Sequence, residues 1–350
     1  MGYGSLLRMP ALGMISLVLG SNLARAADAG PPMPAGPLSP TVISRDADLE
    51  HRPHVDLPGG VIKLPGVTYS VLDGYRPLTA DLFVPPTSAA PHPIVVYIHG
   101  GGWSYDPMGE EGVSGEDAMA ELARRGYVVV RPAYRLTSEA IFPAQLIDVK
   151  TAIRWIKTYA PAYHADPSRV VVWGDSAGGN LAALVGTTCG QKQFDAAGPV
   201  ARIDPAIDPK VTSCVGGVVD WFGPTDFAAM ASEALPGATK HDTADAPEAK
   251  YLGCEIPECS KAKIDAANPG SYVAFYDPPY LIIHGMNDVL VPYQQSQLLN
   301  DALRSKGNLV KLVFVPGAGH MFRGASPQVM RAQLDTSFKW IDEQMHVSGN

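Results

Sequence analysis

One stretch constrains this chain more than any other: Val170-Val171-Val172-Trp173-Gly174-Asp175-Ser176-Ala177-Gly178-Gly179-Asn180. Four β-favouring residues run into a G-x-S-x-G pattern, and a helix-compatible run, Leu181-Ala182-Ala183-Leu184-Val185, begins at once. A strand must therefore hand over to a helix in one sharp turn. Gly174 and Gly178 leave room on either side of the serine. A serine hydroxyl becomes a useful nucleophile only when it is exposed, held still and placed beside a base. The turn does the first two jobs, and the helix start directs free N–H groups at any negative charge that develops nearby. A glycine-rich turn with a bystander serine would show the same pattern, so the rest of the chain has to decide.

The flanking segments place this turn in a layered α/β protein. Residues 61–64, 67–72 and 78–84 carry strand signals and read as an antiparallel opening. Residues 93–98 and 127–131 are continuous apolar runs, as strands buried on both faces would be. Helices are expected over 116–125 and 143–159. Pro143 suits a first turn, and Leu146, Val149, Ile153 and Ile156 line one face. Further strands are expected at 170–173, 215–221, 280–283 and 310–315, with helices at 294–304 and 327–345. Strands alternating with helices imply a mostly parallel, doubly wound sheet with helices on both faces. In such sheets the active site lies beyond the carboxyl ends of the strands.

The chemistry-bearing residues fall at those ends. After strand 93–98 comes His99-Gly100-Gly101-Gly102-Trp103. Its consecutive glycines let backbone N–H groups approach a ligand, so Gly101 and Gly102, with Ala177, are the oxyanion-hole candidates. Asp288 follows strand 280–283, and His320 follows strand 310–315 in a glycine-rich loop. An imidazole can take a serine proton near neutral pH. A carboxylate on its far nitrogen fixes the tautomer and stabilises the imidazolium. Ser176, Asp288 and His320 are therefore the catalytic candidates, with Asp220 and Asp226 as rival acids near the end of strand 215–221. Of the other histidines, His99 and His284 read as braces for their loops. Trp103, Tyr105, Tyr134, Trp221 and Phe222 lie near strand ends and are candidates to line an acyl or aromatic pocket, though ordinary packing accounts for them as well.

Taken together, His99-Gly100-Gly101-Gly102, Gly174-Asp175-Ser176-Ala177-Gly178-Gly179, His284-Gly285-Met286-Asn287-Asp288 and Gly319-His320 resemble the α/β-hydrolase-fold carboxylesterases. The groups they resemble are the hormone-sensitive-lipase-like and bacterial feruloyl-esterase-like esterases. The resemblance runs from about Val61 to the C-terminus. It implies an eight-stranded sheet, ester hydrolysis through an acyl-enzyme, and no cofactor. No helix-rich segment precedes the first strand, which fits the more open feruloyl-esterase-like type. Residues 222–274 sit where this fold commonly inserts a small cap or lid. An amidase or peptidase on the same fold, or a non-catalytic binding protein, are the competing functions. Nothing marks an amine pocket, and no triad candidate is missing.

Composition narrows the partners. The formal net charge is −8, so no basic footprint for nucleic acid exists. No zinc cluster, EF-hand loop or P-loop pattern occurs, and no metal site is expected. Residues 1–26 read as a signal peptide: Arg8 precedes an apolar run too short to span a bilayer, and Ala24-Arg25-Ala26 fits the cleavage site. Residues 27–60 read as a Pro-rich linker and 61–350 as the hydrolase domain. A secreted or periplasmic protein without stable membrane insertion is expected, acting on a small-molecule or polymer-linked ester. Export permits disulfides. A helix running back along the sheet from Ser176 brings Cys189 to the start of the next strand, beside Cys214. Cys254 and Cys259 then pair locally.

Overall fold

The computed structural model describes residues 53–86, 90–107, 115–195, 201–202, 207 and 210–346. All fall within one compact unit, Ser39–Asn350. The expected signal peptide and linker residues 27–52 lie outside the described residues.

The chain opens with β1 (Val55–Leu57), β2 (Val61–Leu72), β3 (Leu78–Val84) and β4 (His92–Ile98). Next come α1 (Glu116–Arg124), β5 (Val128–Pro132), α2 (Ala144–Tyr159) and β6 (Ala165–Asp175). Then follow α3 (Ala177–Thr187), α4 (Lys192–Asp195), β7 (Ala201–Arg202) and β8 (Gly217–Trp221). Three short helices, α5 (Phe227–Glu233), α6 (Pro247–Leu252) and α7 (Lys261–Ala267), precede β9 (Tyr280–Gly285), α8 (Gln294–Ser305), β10 (Val310–Val315) and α9 (Pro327–His346).

The strands form one sheet in the order β1-β2-β3-β5-β4-β6-β8-β9-β10, with β7 pairing β2. β1, β2, β3 and β5 pair antiparallel, and every pairing from β5 through β10 is parallel. The expected eight-stranded sheet is present, and β1 and β7 add to it. β1 has a largely exposed surface and β7 is two residues long, so neither carries a hydrophobic period to read. The linker reading therefore ends before Val55. Residues 61–64 and 67–72 are one strand with a bulge between Leu64 and Val67, not two. The Gly66 N–H inside the bulge donates to Asp81 Oδ1 at 2.9 Å.

Strand parity splits the core into two layers. Ile94, Val96, Ile98, Val170, Val172 and Ile282 face α2, α3 and α8. Val95, Tyr97, Val171, Trp173, Val219 and Ile283 face α1 and α9. Register aligns Ile98 with Gly174, Asp175 with Trp221, Trp221 with Ile283 and Gly285 with Val315. The carboxyl ends of the parallel strands thus form a common edge, and every loop carrying a candidate residue leaves from it.

Both expected disulfides are formed, Cys189–Cys214 with Cα atoms 4.9 Å apart and Cys254–Cys259 with 5.5 Å. The first joins the end of α3 to the start of β8. The second lies in the segment between β8 and β9, which carries α5 to α7 and lies against the sheet edge. Asn180 of α3 fastens this segment by donating to Pro224 O at 2.9 Å and Ala267 O at 3.3 Å.

Candidate active site

Ser176 sits at the β6–α3 junction with φ 54° and ψ −121°, a conformation that non-glycine residues rarely hold. Close packing enforces the small neighbours. A Cβ on Gly174 would lie 2.0 Å from Gly178 O, and one on Gly178 would lie 2.0 Å from Ile98 O. The Ser176 N–H donates to Trp221 O at 2.8 Å, which ties the turn to the next strand.

His320 Nε2 is 3.0 Å from Ser176 Oγ, and His320 Nδ1 is 2.7 Å from Asp288 Oδ2. Asp288 Oδ1 accepts the N–H groups of Leu290 and Val291 at 2.8 and 2.9 Å. His284 Nε2 lies 3.3 Å from Asp288 Oδ2 and 2.9 Å from Val291 O, and its Nδ1 is 2.7 Å from Ser296 Oγ. Burial opposes a charge on Asp288. Hydrogen bonds from His284 and His320 outweigh it and hold the carboxyl well below the usual carboxylate range. The rival acids are engaged elsewhere. Asp220 Oδ1 accepts the Gly223 N–H, and Asp226 caps α5 by accepting the Ala228 N–H.

These groups open onto a cavity of about 350 Å³. Gly101, Gly102 and Ala177 line it beside Ser176. Gly101 has φ 95°, and a Cβ there would lie 2.2 Å from Tyr105 O, so only glycine fits this loop. His99 braces the loop: its Nδ1 is 2.8 Å from Gly100 O, and burial pushes its pKa down to about 4. Asp175 braces it from the other side. Tyr97 donates to Asp175, and burial raises the carboxyl above its ordinary value while hydrogen bonds from Tyr97 and the Gly100 backbone pull it back in part.

Of the five pocket candidates, Trp103 and Tyr105 line the cavity, the first 1% and the second 55% exposed. The other three do not line it. Tyr134 is buried beneath the glycine loop, stacked on His99 at 4.3 Å, and donates to His99 O at 3.0 Å. Trp221 points to the α9 face, where its Nε1 donates to Ser337 Oγ at 2.9 Å. Phe222 packs edge-on against the His320 ring at 4.8 Å and supports the imidazole from behind. All three stand at the right strand ends, but strand parity and loop direction turn their rings away from the opening.

Beyond Phe222, the sequence marked no pocket candidate in the segment between β8 and β9. His241, Asp245, Glu248 and Lys250 from that segment reach the cavity. They come from irregular backbone and a six-residue helix, with no motif spacing to mark them. Among the described residues, no group of three or more His, Cys, Asp or Glu side chains could hold a metal ion.

The sheet order and the serine-bearing turn after β6 define an α/β hydrolase. Residues 80–303 match the BD-FAE family, and the chain belongs to that family. It is similar to esterase LipC of Mycobacterium tuberculosis, at 30% identity over 236 residues, covering 66% of this chain and 53% of that one. It is also similar to carboxylesterase NlhH of the same organism, at 34% identity over 181 residues, covering 50% and 46%. The chain spans about half the length of the relatives it matches. Among solved structures it is similar to a truncated carbohydrate esterase from gut microbiota, with a TM-score of 0.65, 29% identity, and coverage of 81% of this chain and 96% of that chain.

Proposed function

We propose that this protein is a serine carboxylic ester hydrolase acting on short-chain acyl or aromatic, feruloyl-type esters, including esters of sugars. The observation that carries the reading is the chain of contacts Ser176 Oγ–His320 Nε2 at 3.0 Å and His320 Nδ1–Asp288 Oδ2 at 2.7 Å, opening onto a cavity. The similarity to esterases and to a carbohydrate esterase supports it.

The chemistry follows from the contacts. His320 Nε2 takes the Ser176 proton as Oγ attacks the ester carbonyl. Negative charge develops on the former carbonyl oxygen, and the N–H groups of Gly101, Gly102 and Ala177 hold it. Asp288 stabilises the imidazolium through Nδ1–H. His320 then returns the proton to the leaving alcohol, and the acyl group stays on Ser176. A water, activated by the same imidazole, releases the acid.

The two disulfides and the leader-like N-terminus support export, with cleavage after Ala26 and a secreted or periplasmic location. No helix of the described residues is long and apolar enough to cross a membrane.

Turnover of p-nitrophenyl acetate, butyrate and octanoate and of methyl ferulate, beside Ser176→Ala, tests the reading. Hydrolysis that falls by about 10³-fold or more in the variant is expected. A folded wild-type protein inert on all four esters, or an equally active Ser176→Ala, would sink it.

A further inference from the structure

Asp288 has a second imidazole beside it, and none of the hydrolytic steps uses that ring. His284 stands near the end of β9, four residues before Asp288, and the two are 0% and 1% exposed. As a brace for its loop, His284 makes two contacts. Its Nδ1 is 2.7 Å from Ser296 Oγ of α8, and its Nε2 is 2.9 Å from Val291 O. A third contact goes beyond bracing. Nε2 is also 3.3 Å from Asp288 Oδ2, the same oxygen that lies 2.7 Å from His320 Nδ1.

The contacts fix which nitrogen of His284 carries a hydrogen. A carbonyl oxygen only accepts, so Val291 O places a hydrogen on Nε2. The Ser296 hydroxyl can give or take at Nδ1 and is satisfied either way. The positive end of the Nε2–H dipole therefore lies beside Asp288 Oδ2. Burial opposes a charge on Asp288, and His284 is among the groups that overcome it. A carboxylate whose charge is shared with His284 pulls less on the His320 imidazolium. The His320 ring then sheds its second proton at lower pH, and only the ring without that proton can accept one from Ser176. The other groups around His320 are the same whichever residue stands at 284. Ser176 Oγ is 3.0 Å from Nε2, and Asp175 of the same turn feels the charge on the ring. Asp245, Lys250 and Glu248 line the cavity from the segment between β8 and β9, Glu248 with His241 Nδ1 at 3.2 Å, and Arg323 lines it from the turn after His320. Among the described residues, none of these five side chains pairs with His320 or Asp288.

We propose that His284 is a positioning residue of the ester hydrolase, presenting Nε2–H to Asp288 Oδ2 so that His320 remains a working base to lower pH. The inference rests on the ester-hydrolase reading and goes beyond it, because it assigns control of the acid side of the activity to a residue that touches neither substrate nor Ser176. Ser296 acts one step further out by holding the His284 ring in place.

The test is the pH profile of kcat/KM for p-nitrophenyl acetate, whose acid limb reports protonation of the free enzyme's base. His284→Asn keeps an amide for Ser296 and removes the group that faces Asp288. His284→Gln puts an amide N–H back where Nε2 stands. The acid limb of His284→Asn should move to higher pH by about 0.5 or more, and that of His284→Gln should stay close to wild type. A brace alone gives a different result. If losing His284 merely lets Asp288 drift from His320, the imidazolium loses its partner, so the limb moves to lower pH or stays put while kcat falls across the profile. Either outcome overturns the proposal, and so does an equal upward move in both variants. Should His284→Asn not fold, His284→Leu reads the same limb. If wild-type protein hydrolyses no ester, the hydrolase reading falls. NMR titration of the His320 ring in the same variants then still decides the role of His284: an upward move in His284→Asn alone upholds it, and any other pattern overturns it.

Discussion

Asp220 and Asp288 stand near the carboxyl ends of neighbouring strands, and their surroundings drive them in opposite directions. Burial pushes Asp220 up to about 7, and the single Gly223 N–H pulls it back only in part. Asp288 is buried as well, but two imidazoles and two backbone N–H groups hold its charge. An unfolded aspartate titrates near 3.9. Folded Asp220 therefore retains a proton that the unfolded chain has released between about pH 4 and 7, and stability falls as pH rises through that window. The contribution levels off above about 7. Asp220→Asn keeps an oxygen for Gly223 and abolishes the titration. Urea unfolding at pH 4 and pH 8 should show wild type losing a few kcal/mol relative to Asp220→Asn. Parallel behaviour of the two proteins would refute this. The sequence made both aspartates candidates because residue type and strand-end position are legible. What separates them is which groups face each carboxyl, and that depends on loops whose course has no period. His241 went unread for the same reason: its partner lies seven residues away across irregular backbone.

Among the elements, those that pack on both sides were the most legible. β4, β5, β6, β8 and β9 are apolar runs, and α2 buries the expected Leu146, Val149, Ile153 and Ile156. Pro65-Gly66 misled because punctuation in a strand can mark a bulge as well as an end. The segment between β8 and β9, expected as a cap, was legible only as an irregular stretch. Its helices have six or seven residues, too short for a hydrophobic period to stand out. What fixes α6 is Tyr251, which is fully buried, stacked on Trp103 at 4.0 Å and edge-on to Phe142 at 5.4 Å. Its hydroxyl has no hydrogen-bond partner among the described residues. The ring should therefore stabilise the cap while the hydroxyl weakens it. Tyr251→Ala should cost about 3–5 kcal/mol through the cavity it leaves. Tyr251→Phe should stabilise by about 1 kcal/mol, because it removes a buried polar atom without opening space. Denaturant midpoints with unchanged slopes would measure both. A destabilised Tyr251→Phe would mean that the hydroxyl has a partner after all.

Across the whole molecule, the two disulfides close loops of different size. Cys189–Cys214 spans 25 residues and joins α3 to β8 in the sheet layer, and Cys254–Cys259 spans 5 within the cap. In the chain-entropy picture these contribute about 3.5 and about 2 kcal/mol respectively. A domain's whole stability is typically only about 5–15 kcal/mol. Together the crosslinks supply a large share, and such bonds persist in an oxidising compartment, the kind in which the export proposal places the protein. Replacing Cys189 and Cys214 together by alanine should therefore cost more than replacing Cys254 and Cys259. Reducing both bonds should lower Tm by roughly 10 °C, taking about 2 °C per kcal/mol for a chain of this size. Thermal scans of the oxidised, reduced and pairwise-substituted proteins give the ordering directly. The sheet packs on both faces without either crosslink, so the reduced protein should still melt cooperatively at the lower temperature. If the cap pair proved the costlier to remove, the stabilising effect would lie in native contacts of the cap and not in restraint of the unfolded chain. The cap, and the cavity wall it carries, would then be the part of the molecule that reduction loosens first.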